Sequence, residues 1–184
     1  MLRKLLLTIA SIFLIWQSYK LLTQIHHFQS NSWTNSLFLG AIINLFITGI
    51  FAFAGFAWPT ERILSPNYYL VQNPDRLKNI YKLLRVDLFR KFLLATVWKS
   101  KAQQAKHFNG KKNGLDMLIE QANKSEFGHL IPFFLITFVC CYFIWMGYYK
   151  LTILTFVINI IFNFYPVLLQ RHHRIRVQRI RNRQ

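Results

Sequence analysis

Four long apolar runs dominate the sequence. They cover residues 5–22, 37–58, 127–149 and 151–170, and no acidic residue lies inside any of them. An α-helix needs about 20 mostly apolar residues to cross a bilayer, so each run predicts a transmembrane helix. Because 53% of all residues are hydrophobic, a disordered protein is excluded. We predict an all-α integral membrane protein in which residues 1–184 form a single membrane domain.

The basic residues are sorted between the two sides of these runs. Of 23 Lys and Arg residues, two precede the first run, 13 lie within residues 60–126 and six follow Gln170. Only Lys20 and Lys150 remain for the other side. Basic residues in short connections stay on the cytoplasmic side. We therefore predict a multi-pass protein of the cell membrane, with both termini, the segment 60–126 and the basic tail 171–184 in the cytoplasm.

Nucleic-acid binding or a cleaved signal peptide could also place basic residues next to apolar runs. A nucleic-acid-binding protein would spread its basic residues over the surface of a mixed sequence, whereas here basic and apolar runs alternate, so we expect no nucleic-acid partner. The first run could be a signal peptide, since Arg3 and Lys4 precede it. No small-x-small cleavage site follows, and Trp16, Tyr19 and Lys20 are typical of an interfacial anchor. We predict that this helix is retained.

The long segment between the second and third runs carries an amphipathic pattern. Over residues 75–98, apolar residues recur at spacings of three and four, and basic residues fall between them. This pattern predicts an interfacial helix whose cationic side meets anionic lipid headgroups. Alternatively, its apolar side covers the transmembrane bundle, and both can hold at once. Residues 106–114, which contain Asn and Gly among lysines, predict a turn, and a short helix is expected over 115–123.

Glu126 and His129 form an E-x-x-H pair at the start of the third run. In a helix this spacing places both side chains on one face, one turn apart. A carboxylate in that position can hold an imidazole in one tautomer and raise its basicity, which is the arrangement of a general base and its orienting partner. A purely structural role stays open, since a glutamate is favoured at a helix start by the helix dipole.

Polar residues also follow one face of the fourth run. Asn159 and Asn163 are four residues apart, and Gln170 and Arg174 continue that face at helical spacing. Polar groups within a membrane span are costly and usually face the bundle interior or a cavity. Asparagines that hydrogen-bond neighbouring helices would give the same pattern. Pro166 lies between these residues and predicts a kink that frees a backbone carbonyl on the preceding turn.

Depth along the third and fourth helices predicts where these polar residues meet. If the third span enters the bilayer near Phe127 and the fourth leaves near Gln170, the polar ends of both lie within roughly 10 Å of the same surface, at 1.5 Å per residue. The residues predicted to converge there are Glu126, His129, Asn163, Gln170 and Arg171. His172 and His173 are adjacent and point to different faces, and no metal-binding spacing occurs, so we predict no metal site.

Three features carry a resemblance to a known family. They are the E-x-x-H pair, Asn163, and the tail motif Q-R-x-x-R-x-R, here Gln170, Arg171, Arg174 and Arg176. Through them, the C-terminal two thirds of the chain resembles the glycosyl-4,4'-diaponeurosporenoate acyltransferase family, small membrane enzymes of the staphyloxanthin type of carotenoid pathway. The resemblance implies transfer of a fatty acyl group onto a sugar hydroxyl of a glycosylated carotenoid or a similar lipid acceptor.

The resemblance and the predicted polar cluster together give an enzyme hypothesis. His129 is then the general base on the acceptor hydroxyl, and Glu126 orients it. Asn163 and Gln170 hydrogen-bond the acyl oxyanion or the sugar. Phosphates of an acyl donor such as acyl-CoA, or of lipid headgroups, are expected to bind Arg171, Arg174 and Arg176. No cofactor is expected besides this co-substrate, and the predicted partners are membrane lipid, a lipophilic acceptor and the acyl donor.

A non-enzymatic membrane protein is the alternative. Its four helices would scaffold membrane partners or bind anionic lipid, and the basic tail would be a topological anchor. The two hypotheses differ at His129. Its replacement by alanine should stop acyl transfer in an enzyme and should matter little in a scaffold.

Overall fold

Helices account for all regular structure in the part of the chain that the structure describes. The computed structural model describes residues 1–29, 31–96 and 112–181. Its α-helices, numbered in chain order, are α1 (Leu2–Thr23), α2 (Ile25–Phe28), α3 (Trp33–Ala57), α4 (Pro66–Tyr69), α5 (Pro74–Leu83), α6 (Val86–Thr96), α7 (Lys112–Trp145), α8 (Tyr149–Asn159) and α9 (Tyr165–Arg181). A 3₁₀ turn, Thr60–Arg62, follows α3, and a π-helical turn, Ile160–Phe164, joins α8 to α9.

Four helical stretches are long and apolar enough to cross a membrane. They are Leu2–Thr23, Trp33–Ala57, Met117–Trp145 and Tyr149–Arg179. Each contains one of the four apolar runs, almost entirely, so the predicted all-α integral membrane protein with about four transmembrane helices is confirmed.

Two local predictions around these spans need correction. The separate helix expected over 115–123 is part of α7, because no Gly or Pro interrupts the chain between there and Phe127. The turn expected over 106–114 lies outside the described residues up to 111, and its last three residues already belong to α7. For the basic tail no conformation was predicted, and α9 continues through it to Arg181.

Contacts at the two ends of the bundle arrange neighbouring spans antiparallel. At one end, the Trp58 indole Nε1 donates to Thr8 Oγ1 at 3.2 Å, which joins the end of α3 to the start of α1. At the other, the Lys150 ammonium donates to the Asn31 carbonyl at 2.9 Å and lies 5.5 Å from the centre of the Trp33 ring. We call the first end, where α5 and α6 pack against α9, the basic end, and the second the opposite end.

Close packing between α3 and α8 positions the centre of the bundle. A Cβ at Gly40 would lie 2.9 Å from Thr155 Oγ1 and 3.2 Å from Thr155 Cα, so the absence of a side chain permits this approach. One turn further along α3, Asn44 Nδ2 donates to the Thr155 carbonyl at 3.1 Å. A further turn along, Thr48 reaches Asn163. Helix α3 therefore holds both α8 and the π-helical turn in place.

The amphipathic segment forms two helices rather than one. The single helix predicted over 75–98 is wrong, because α5 ends at Leu83 and α6 begins at Val86. Between them Arg85 adopts a φ of 51°, a left-handed conformation that costs a non-glycine residue about 1–2 kcal/mol. Tyr81 and Val86 are buried against α9, whereas Leu83 is 82% exposed. One apolar side of this two-helix segment thus covers the bundle, which was one of the two alternatives predicted for it. Other apolar residues, such as Leu83, face outward.

The irregularity predicted near Pro166 takes the form of a π-helical turn. Pro166 has no amide hydrogen, so the carbonyl of Phe162, four residues earlier, loses its α-helical partner. The chain accommodates this loss by widening over Ile160–Phe164, immediately before α9. Such single π-helical turns interrupt α-helices frequently at functional sites. Here the turn carries Asn163, one of the predicted site residues.

Candidate functional site

A fully buried carboxylate forms the first of two polar clusters. The Glu126 side chain on α7 has no exposed surface, and its Oε1 accepts hydrogen bonds from the Tyr68 hydroxyl and from Arg171 Nε, each at 2.9 Å. Its Oε2 lies 2.5 Å from Arg174 Nη2, which also donates to Asn123 Oδ1 at 2.7 Å. We call Tyr68, Glu126, Arg171 and Arg174 the ion-pair cluster. Two guanidinium groups face one carboxylate, so the cluster carries a net positive charge.

The short helix α4 supplies an aromatic cover for this cluster. It begins with a cap, since Ser65 Oγ accepts a hydrogen bond from the Tyr68 amide at 3.3 Å and a proline occupies the first helical position. The Arg171 guanidinium lies 4.6 Å from the centre of the Tyr68 ring, and that of Arg174 lies 4.8 Å from the Tyr69 ring. Each contact is a cation–π interaction, which favours the charged guanidinium in a partly dehydrated site.

Burial shifts the pKa of the tyrosines around the cluster. It raises the pKa of Tyr69 to about 12, and the charge of Glu126 acts in the same direction. Burial also raises the pKa of Tyr81, on α5, to about 12. The pKa of Tyr68 is raised as well, first by burial and then by the negative charge of Glu126. These phenols therefore stay protonated at neutral pH, and Tyr68 acts as a hydrogen-bond donor.

The second cluster is a chain of neutral hydrogen bonds deeper in the bundle. His129 Nδ1 lies 3.2 Å from Asn163 Oδ1, which also accepts a hydrogen bond from Thr48 Oγ1 at 3.1 Å. Asn163 Nδ2 donates to Asn159 Oδ1 at 2.9 Å, and Asn159 Nδ2 donates to the Phe133 carbonyl at 3.0 Å. We call His129, Asn163 and Asn159 the amide relay. Both asparagines are fully buried, while His129 is half-buried.

The predicted partnership of Glu126 with His129 is wrong. Among the described residues, the carboxylate contacts Tyr68, Arg171 and Arg174, whereas His129 contacts Asn163. The two side chains do lie one turn apart on α7, but they face different elements. A buried carboxylate is stabilised far more by two guanidinium groups than by a neutral imidazole, which accounts for the choice of partners.

The remaining predicted site residues, Gln170, Arg171, Arg174 and Arg176, all lie on α9. Gln170 Nε2 donates to Ser125 Oγ at 3.0 Å, beside the ion-pair cluster. The Arg171 side chain is 27% exposed, whereas that of Arg174 is 5% exposed and has no hydrogen-bond partner for Nε or Nη1 among the described residues. The side chain of Arg176 lies outside the described part of the structure. Within that part, no group of three or more His, Cys, Asp or Glu side chains is placed to hold a metal ion.

Sequence reasoning missed Tyr68, Tyr69 and Thr48. The Ser65 cap and the proline after it predict a short fixed helix, and this signal could have drawn attention to the two tyrosines that follow. Nothing in the sequence marks Thr48, which is one hydroxyl in an apolar run. Its role depends on the packing of α3 against the π-helical turn, so only the tertiary structure could show it.

The fold and the site together define a multi-span helical membrane protein with two buried polar clusters towards one end of its bundle. The family model described as glycosyl-4,4'-diaponeurosporenoate acyltransferase matches residues 65–183, about two thirds of the chain. The matched range contains every residue of the ion-pair cluster and of the amide relay. The chain belongs to this family, as the resemblance indicated. No curated protein and no solved structure matches it.

Proposed function

We propose that the protein is an integral-membrane O-acyltransferase that moves a fatty acyl group onto a sugar hydroxyl of a glycosylated carotenoid or a similar lipid acceptor. The observation that carries this proposal is the family match, because the matched range 65–183 contains both polar clusters. Acyl transfer to a hydroxyl needs a group that takes the hydroxyl proton. We assign this step to the imidazole of His129, which is half-buried and therefore partly accessible.

The chemistry requires one base and no redox partner. The acceptor hydroxyl oxygen attacks the acyl carbonyl carbon while His129 takes the hydroxyl proton, so a C–O bond forms and the carbonyl oxygen becomes negative. When this intermediate collapses, the bond to the donor's leaving group breaks. The leaving group then takes the proton back from His129, which returns to its neutral form.

The arginines at the basic end suit a phosphorylated acyl donor. The ion-pair cluster holds two guanidinium groups on one carboxylate, so one positive charge is unbalanced. Arg171 is the more accessible of the two, and we expect it to contact a phosphate of acyl-CoA or of a lipid headgroup. Arg174 holds the cluster together from inside. Gln170 and Arg176 remain predicted substrate contacts on the strength of the tail motif alone.

Charge sorting supports a cytoplasmic position for the basic end in the cell membrane. A water-soluble donor would then reach the site without crossing the bilayer, while a lipophilic acceptor enters from the lipid. In a background lacking Cys140 and Cys141, a cysteine at the exposed Gln72 should resist a membrane-impermeant thiol reagent in intact cells. A cysteine at Asn31, at the opposite end, should react. Labelling at position 72 from outside would contradict this orientation.

Ester formation in membranes tests the proposed activity. Membranes containing the protein, acyl-CoA and a glycosylated carotenoid should yield a product that is heavier than the acceptor by one acyl group. His129→Gln should lower the rate by about 10²–10⁴-fold, the usual contribution of a general base. His26→Gln is the matched control, because His26 lies in α2 at the opposite end. Full activity of His129→Gln, or no ester with the wild-type protein, would contradict the proposal and favour the scaffold alternative.

A further inference from the structure

We infer that the amide relay holds His129 as the neutral tautomer protonated at Nδ1, which leaves the lone pair on Nε2 for the acceptor hydroxyl. Asn163 and Asn159 are then positioning residues that act through His129. The tautomer follows from the hydrogen bonds alone, whereas its use in acyl transfer rests on the proposed function.

The relay is anchored on a group that can only accept hydrogen bonds. Asn159 Nδ2 lies 3.0 Å from the Phe133 carbonyl oxygen and 3.4 Å from Thr137 Oγ1. The Thr137 hydroxyl donates its own hydrogen to the same carbonyl at 2.7 Å, so its oxygen is free to accept from Asn159. Because the carbonyl has no hydrogen, the NH₂ of Asn159 must face α7. Its Oδ1 must then point to Asn163.

This orientation is passed on to Asn163. Oδ1 of Asn159 accepts from Asn163 Nδ2 at 2.9 Å, so Asn163 Oδ1 faces Thr48 and His129. Turning the Asn163 amide by 180° would set two amide oxygens, those of Asn163 and Asn159, against each other and remove the acceptor from Thr48 and His129. Since both asparagines are fully buried, each lost bond would leave a polar group unsatisfied, which is costly in a buried site.

Nδ1 of His129 must therefore carry a hydrogen. An amide oxygen can bond to Nδ1 only when that nitrogen is protonated. In the neutral ring protonated at Nδ1, the lone pair lies on Nε2.

An uncharged orienting group suits this depth in the membrane. A carboxylate beside His129 would need its own charged partners, as Glu126 has in the ion-pair cluster. The amide oxygen of Asn163 selects a tautomer without adding a formal charge to the span. When Nε2 takes a proton, the bond from Nδ1 to Asn163 is kept, so the relay does not have to reorganise.

Nitrogen-15 NMR of the full-length protein in lipid bilayers measures the tautomer directly. With ¹⁵N in the histidine rings, the His129 signals are those lost in His129→Gln. At neutral pH the wild-type protein should show a protonated Nδ1 and an unprotonated Nε2. Asn159→Leu should give a mixture of both tautomers, because Asn163 loses the acceptor that fixes its amide. A wild-type signal with Nε2 protonated, or an unchanged signal in Asn159→Leu, would overturn the inference.

Asn44 provides a matched control in the same bundle. It is 3% exposed and donates to the Gly40 carbonyl within α3 and to the Thr155 carbonyl of α8, but not to His129. Asn44→Leu should remove a similar number of buried hydrogen bonds and leave the His129 signals as they are. If Asn159→Leu does not fold, Asn159→Ser gives the same test with a smaller side chain.

Kinetics separate this inference from the proposed function. If the wild-type tautomer is as inferred but no ester forms, the proposed function fails and the relay stands. If ester forms, Asn159→Leu should lower kcat by about tenfold or more through misorientation of the base, with KM for the acceptor changed by less than about twofold. KM should change little because Asn159 is fully buried and reaches His129 through Asn163 rather than contacting the acceptor. A rise in KM with unchanged kcat would count against the positioning role.

Discussion

The ion-pair cluster and the amide relay begin one turn apart on α7, yet they join helices by different chemistry. At the basic end, Glu126 bonds to Arg171 and Arg174, and tyrosine rings cover the guanidinium groups. Deeper in the span, His129 and Asn163 connect through neutral groups. Charges become more costly with depth in hydrocarbon, whereas amides can satisfy one another. Polar groups in this bundle therefore differ along the span, with ion pairs towards the basic end and amide hydrogen bonds further in.

Removal of the carboxylate from the ion-pair cluster should lower the free energy of unfolding more than any other change considered below. Glu126→Ala leaves the buried Arg174 without a counter-charge and should lower the free energy of unfolding by about 3–5 kcal/mol. Denaturant unfolding in detergent measures the loss. Glu120→Ala is the matched control, since the exposed Glu120–Lys124 pair at 2.7 Å is worth less than about 1 kcal/mol. Equal losses in the two variants would contradict the importance of the buried pair.

Disruption of the amide relay should cost less stability than disruption of the ion-pair cluster. Asn163→Leu removes the partner of Thr48, His129 and Asn159 but leaves no unpaired charge. We expect a loss of about 1–3 kcal/mol in the same unfolding experiment. A loss larger than that of Glu126→Ala would show that depth, rather than formal charge, sets the energetic cost.

Alkaline pH should weaken the surroundings of the ion-pair cluster. The pKa of Tyr69 and that of Tyr81 are raised to about 12 in the folded protein, against about 10 when unfolded. A raised folded-state pKa gives stability that is complete below pH 10 and is lost as the pH rises towards 12. At pH 11 the loss should be about 1 kcal/mol for each tyrosine, and Tyr69→Phe should remove its share. Phenolate absorbance measures the titration of the tyrosines directly. Complete titration of all tyrosines near pH 10 would disprove the raised pKa values.

The smallest effect is expected at the edge of the amide relay. Thr48→Val keeps the shape of the side chain but removes its hydrogen bond to Asn163, at about 0.6 kcal/mol, the average for hydrogen bonds between membrane helices. Thr23→Val is the matched control, because the Thr23 hydroxyl is exposed and bonds within its own helix. A loss in Thr23→Val that equals the loss in Thr48→Val would remove the evidence for a bond between helices.

The membrane spans could be predicted because the hydropathy of a segment depends on its consecutive residues and not on which helices pack beside it. The break between α5 and α6 could not, since Arg85 adopts its left-handed backbone without the glycine that usually marks such a position. Packing of the flanking Tyr81 and Val86 against α9 imposes the break instead. That packing is invisible in the periodicity of residues 75–98, which continues through the joint.

Several polar residues of the two clusters could be singled out from the sequence, but their partners could not. The spacing of Glu126 and His129 shows that they share a helix face, yet it does not show what lies opposite each of them. The partners of Glu126 include Tyr68, which is 58 residues away in the chain, and Arg171, which is 45 residues away. Fully charged partners outcompete a neutral neighbour on the same helix, so the tertiary contacts decided the pairing.

Helix α3 lies outside the range matched by the family model, yet it packs against helices within that range. Gly40 admits α8 at short distance, and Thr48 bonds to Asn163. A chimera of two relatives with its crossover at residue 65 would set the α8 of one parent against the α3 of the other. Any bulkier side chain at position 40 would then wedge the two helices apart. Crossovers placed before Trp33 should preserve the packing of α3 against α8 and the π-helical turn, and should move the mismatch to the contacts between α1 and α3, such as the Trp58–Thr8 hydrogen bond.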